Sequence, residues 1–164
     1  MEHVIVRWEP HSGGYWFDPR PYLEILPDIV DRLPPGARSY AEHPGHYRFD
    51  SDQCVKDLRF ISLAIDGETH RVVVNFAANP SKHTAGLALA YTSVQSIIVD
   101  REGADGIGWM DIGWIGTVML DEVLPVGAGM SHEIKFTSGT IKIVASDVEA
   151  RWDEAEPAEI GLLK

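Results

Sequence analysis

Cysteine is nearly absent from this 164-residue chain: Cys54 stands alone. No intrachain disulfide can form, which excludes a disulfide-stapled scaffold and points to a reducing compartment. The surrounding Cys54-Val55-Lys56-Asp57-Leu58 matches no nucleophile motif, so Cys54 reads as a small buried hydrophobe. Basic residues are scarce, 14 Lys and Arg against 25 Asp and Glu, for a formal net charge of −11. Of that excess, −8 falls in residues 100–164. Such a surface is repelled by a phosphate backbone, which argues against nucleic acid as a direct ligand and for attraction to a basic protein. It also serves solubility. Uncharged apolar runs of about 18 residues, the length of a membrane helix, are missing. So is a basic-then-apolar signal pattern in the first residues. The expectation is a cytoplasmic protein without membrane contact.

Enzyme signatures are missing too. There is no Gly-x-Ser-x-Gly elbow, and Gly103, Gly106 and Gly108 have neither dinucleotide-loop nor Walker spacing. Their neighbours Glu102, Asp105 and Asp111 would repel a phosphate, and they do not form a calcium-loop pattern. His43 and His46, three residues apart across Pro44-Gly45, are the densest of seven histidines. That spacing can aim two imidazoles at a metal, with Asp50 or Asp52 adding oxygen, although Pro-Gly is equally ordinary turn punctuation. A metal-binding or hydrolytic domain on His43 and His46, joined by His132, is one expectation. Within the predicted strands, Asp121 and Glu122 point to opposite faces, as do His132 and Glu133. No motif asks for a cofactor, and the balance favours a non-enzyme.

What is present is an ordinary globular composition, 45% hydrophobic and 24% charged, long enough to bury a core as a single domain over residues 1–164. Tyr22, Leu26, Ile29 and Leu33 recur at spacings of four, three and four, which predicts one N-terminal helix with Asp18 as cap. Pro27 lies inside it and Pro34-Pro35-Gly36 ends it. Residues 34–56 read as a connector. Beyond it, Leu58–Ile65 and His70–Ala77 flank Asp66-Gly67-Glu68 as a hairpin, with Val72, Val74 and Phe76 sharing a face with His70. Ala88–Val99, Thr117–Leu124, His132–Thr137, Thr140–Ala145 and Val148–Trp152 add further strands. The fold class is therefore α+β, a predominantly antiparallel sheet of six to seven strands with one N-terminal helix. Residues 153–164 read as a flexible acidic tail.

Residues 103–129 hold seven of the 15 glycines together with Trp109, Met110 and Trp114. Large apolar residues on glycine-rich chain suit an adaptable contact surface. The plain alternative is that Trp109 and Trp114 fold back to cap the sheet. As a contact surface, Trp109 and Trp114 would be aromatic anchors and Asp105, Asp111 and Asp121 steering charges for a basic partner. The same loop could instead join copies of the chain into a homo-oligomer.

Cys54-Val55-Lys56-Asp57-Leu58, Leu120-Asp121-Glu122-Val123-Leu124-Pro125, His132-Glu133-Ile134 and Asp147-Val148-Glu149-Ala150-Arg151-Trp152 together resemble pieces of small bacterial proteins. The small, acidic, single-domain build resembles the immunity proteins of bacterial toxin systems. That resemblance implies a protein that binds and inhibits a toxin, often over its active site, and that has no catalytic residues of its own.

Overall fold

The computed structural model describes residues 1–101 and 115–153. The described residues are mostly antiparallel strand, with two short α-helices. The chain opens with a hairpin of β1 (Ile5–Glu9) and β2 (Gly14–Asp18), a two-stranded sheet of its own. Gly13 turns it with φ +65°, a conformation open to glycine at no steric cost. Helix α1 (Arg20–Ile29) follows and passes into a 3₁₀ turn (Val30–Arg32). Tyr22, Leu26 and Ile29 are its buried face, as their spacing predicts. Pro27 removes an amide that would have met the carbonyl of Leu23, but Leu23 lies on the exposed side, where water can take its place.

The expected connector contains a second helix, α2 (Pro35–Ala41). Pro35 thus begins a helix rather than ending one, as its missing N–H allows at a first position. The next two amides are held from far away: Asp147 Oδ2 accepts from Gly36 N at 3.0 Å and Oδ1 from Ala37 N at 2.8 Å.

The remaining strands are β3 (Arg59–Asp66), β4 (Arg71–Ala77), β5 (Gly86–Thr92), β6 (Ser96–Arg101), β7 (Val118–Val126), β8 (Gly129–Phe136), β9 (Gly139–Ala145) and β10 (Asp147–Asp153). They form two four-stranded sheets, ordered β10-β5-β4-β3 and β6-β9-β8-β7. The six to seven strands expected become ten among the described residues, because residues 5–18 form a hairpin of their own and residues 88–99 are two strands rather than one. The aromatic run Tyr15-Trp16-Phe17 is itself a strand. Two stretches pass from one sheet into the other, residues 88–99, expected as one strand, and residues 140–152, expected as two. Residues 88–99 break at Ser93, which has φ +48°, and residues 140–152 break at Ser146. The two bent stretches pair on both sides of the corner, Thr92 with Asp147 and Ser96 with Val144. At the opposite corner β3 meets β7 through an Arg59–Thr117 bridge and the bonds Asp57 N→Val118 O and Val118 N→Leu58 O, both 2.8 Å. The pairings therefore close a circuit around a barrel. Its interior holds Val74, Leu89, Ile134, Phe136, Ile141 and Ile143, all essentially inaccessible.

The hairpin at Asp66-Gly67-Glu68 forms as predicted, with Asp66 Oδ1 accepting from the amides of Glu68 and Thr69. Val72, Val74 and Phe76 line the interior, but His70 sits in the turn at φ +51° and is exposed.

Candidate functional site: a sealed polar centre and an exposed aromatic row

One end of the barrel is plugged by α2 and the segment after it, and polar side chains meet there. From the strands come Asp121 (β7), His132 (β8) and Tyr91 (β5); from the plug come Tyr40 and His46. Asp121 is 1% exposed and is the hub. Its Oδ1 accepts from His46 Nε2 at 2.7 Å, and its Oδ2 accepts from Tyr40 Oη and His132 Nε2, each at 2.8 Å. Its main-chain oxygen accepts from Tyr47 Oη at 2.8 Å. His46 Nδ1 faces the carbonyl oxygen of Tyr40 at 3.1 Å, and His132 Nδ1 faces Tyr91 Oη at 2.8 Å.

Donor and acceptor accounting assigns the protons. Both ring nitrogens of His46 face oxygens that accept, a carbonyl and a carboxylate, so both carry hydrogen and the ring is an imidazolium. His132 donates from Nε2 to Asp121, and its Nδ1 shares a hydrogen bond with the Tyr91 hydroxyl. The centre sets the Asp121 anion against the His46 cation with its hydrogen bonds made, which is the condition for holding charge in a core. Burial alone would push the Asp121 carboxyl up. The charge of His46 and the hydrogen bonds from His132 and His46 outweigh that and hold it far below the usual carboxylate range. Tyr40, Tyr47 and Tyr91 are pushed well up by burial and by the neighbouring Asp121 charge.

The neighbouring residues of β7 extend the docking. Glu122, on the opposite face of the strand, accepts from the amides of Glu2, His3 and Val4 at 2.6–2.7 Å. The carbonyl of Val123 accepts from Tyr22 Oη at 2.7 Å. Three consecutive residues of one strand thus anchor the hairpin's root, α1 and the plug.

Asp121 was expected as a surface steering charge and is instead the least accessible acid of the described chain. A strand covered on both faces has no solvent side, and sequence alternation could not show that the second face is covered. Trp109, Trp114, Asp105 and Asp111 lie outside the described residues, as does the expected tail from residue 154 onward. His43 and His46 are not brought together. His46 points into the barrel with both nitrogens engaged, while His43 accepts from Gly45 N at 3.2 Å beside a surface cleft lined by Ser39 and Glu149. Asp50 pairs with Arg48, and Asp52 accepts from Thr84. Among the described residues no group of three or more His, Cys, Asp or Glu is arranged to hold a metal ion. Cys54 is fully buried, and burial pushes its thiol up.

The second feature is on the outside. In the β1–β2 register Trp8 pairs with Tyr15 and Val6 with Phe17, so these four side chains share one face of the hairpin. Trp8 and Tyr15 meet edge-on at 5.1 Å, Tyr15 and Phe17 are tilted at 6.3 Å, and Phe17 and Phe49 meet edge-on at 6.4 Å. Phe17, the third ring of the row, is covered by Lys56, whose Nζ sits 4.8 Å from its ring centre. The rings on either side of it are exposed: Trp8, at 51%, with Tyr15 on one side and Phe49 on the other. Trp16 projects from the other face, 49% exposed. The aromatic run 15–17 was visible in the sequence. The signal that would have made it a hairpin was the Gly13-Gly14 turn after the strand carrying Trp8.

In comparisons with known proteins, no family model matches the chain and no curated protein matches it. None of the helices among the described residues is long and apolar enough to cross a membrane.

Proposed function

We propose that this chain acts by binding a basic protein rather than by catalysis, in the manner of an immunity-type inhibitor. The observation that carries this reading is the state of the Asp121 centre. Asp121, His46 and His132 are the residue types that general acid–base chemistry uses, yet they are buried, saturated with one another and spent on docking the plug to the barrel. Their polar atoms are turned to one another and to the plug rather than to the surface. The surface, by contrast, offers exposed aromatic rings, the residue type that most often anchors protein interfaces. A net charge of −11 supports a basic partner. Trp109 and Trp114, with Asp105 and Asp111, remain part of the proposed contact surface.

The test is affinity capture on the immobilised chain at low and moderate salt, followed by reconstitution with the purified captured protein. A basic protein, bound one to one, inhibited on binding and released as salt rises, supports the reading. Partners that are acidic or salt-insensitive, or a zinc-dependent rise in melting temperature, would count against it.

A further inference from the structure

We propose that the aromatic row of the β1–β2 hairpin seats arginine side chains of the partner, an assignment that rests on the protein-binding reading and names the chemistry of the contact. The row is continuous from Trp8 through Tyr15 and Phe17 to Phe49, with successive ring centres 5.1, 6.3 and 6.4 Å apart. Phe17 already holds a cation of the chain's own, the Lys56 ammonium. Among the described residues no cation lies on Trp8, Tyr15 or Phe49, which have the same negative π faces. A planar guanidinium can stack on such a face as well as being attracted to it, whereas an ammonium is a strongly hydrated point charge.

The carboxylates around the row do not compete for that role. Glu9 is held by Arg7, Asp18 by Arg20, Asp50 by Arg48, and Asp57 by Lys56 and Lys82. Asp18 is tied closely enough to the Arg20 guanidinium that its carboxyl is drawn down to about 2. Among the described residues, these four carboxylates each have a basic partner, whereas Trp8 and Tyr15 carry none. The wider negative field draws a basic partner in, and the row selects among its side chains. Charge thus governs the rate of encounter, and the hairpin governs which cation is seated.

The experiment uses the full chain and two blocked peptides of equal charge, hexa-arginine and hexa-lysine, titrated at moderate salt. Tryptophan emission gives the affinity and backbone amide shifts give the location. Hexa-arginine is expected to bind about three- to fivefold tighter than hexa-lysine, the ratio an exposed cation–π contact supplies, with shifts concentrated at residues 6–9 and 14–17. Trp8→Ala is expected to abolish that preference and leave hexa-lysine binding unchanged, with a wild-type far-UV circular dichroism spectrum showing that the variant is folded. Trp8→Phe, which retains a ring, and Trp16→Ala, on the opposite face, are expected to keep it. Equal affinity for the two peptides, shifts confined to other surfaces, or an unaltered preference in Trp8→Ala would overturn the assignment. If the wild-type chain captures a basic protein but shows no arginine preference, the row is not the seat and the binding reading stands. If it binds neither peptide and captures no basic protein, both fall.

Discussion

Replacing Asp121 with Asn tests the polar centre directly, because the change keeps the shape and removes the charge. In the native protein the carboxylate takes three side-chain hydrogen bonds and neutralises the His46 imidazolium at 2.7 Å, with both partners almost inaccessible. An amide cannot accept at both atoms, so at least one donor loses its partner and His46 keeps a proton with no counter-ion or gives it up to face a carbonyl lone pair. Removing one member of a buried pair costs about 3–5 kcal/mol. For a protein of this size that is a fall in Tm of roughly 6–20 °C. Urea denaturation followed by far-UV circular dichroism and by tryptophan emission measures it. His46→Gln should cost a similar amount. The double variant should cost clearly less than the two singles added, because it removes both charges together; a coupling of about 1–3 kcal/mol is expected. Should Asp121→Asn unfold within about 1 kcal/mol of wild type, or the two substitutions simply add, the proton assignment and the docking role would both be refuted.

Stability should also fall in acid in a defined sense. The folded Asp121 carboxyl titrates far below its unfolded value of about 3.9, so its contribution is present above that pH and is lost as pH falls below it. The pH dependence of unfolding below about pH 4 should be shallower in Asp121→Asn; an unchanged slope would contradict the depressed carboxyl. Asp147→Ala removes the acceptor for two first-turn amides of α2 and should cost about 1–2 kcal/mol, with faster hydrogen exchange at Gly36 and Ala37 than elsewhere in the helix. Cys54 should resist an aqueous thiol reagent in the native state and react at the rate of unfolding in urea, since it is inaccessible and its thiol is pushed up. Rapid native labelling would show that the region opens locally.

Local pattern was enough for some of this structure. The α1 face follows from the spacing of Tyr22, Leu26 and Ile29, and the β3–β4 turn from Asp66-Gly67-Glu68, because both depend on contacts a few residues apart. The opposite-face placement of Asp121 and Glu122 follows from strand alternation alone. Helix α2 was illegible because its cap is Asp147, 110 residues beyond Ala37. Strands β5 and β6 read as one because a corner between sheets is set by what the strand packs on, and no glycine or proline in Thr92-Ser93-Val94-Gln95-Ser96 marks it.

The candidate sites divide the same way. The scarcity of basic residues, the single cysteine and the lack of catalytic motifs are properties of the chain itself, and they already direct attention to binding. That Asp121 is a buried hub rather than a surface charge was decided only by folding. Its partners His46 and Tyr40 lie 75 and 81 residues away in sequence. The covering of the second face of β7 by the N-terminal residues, through Glu122, is likewise a tertiary fact. Composition sets which charges a chain carries; whether a given charge meets water or another charge depends on which distant segments the barrel brings against it.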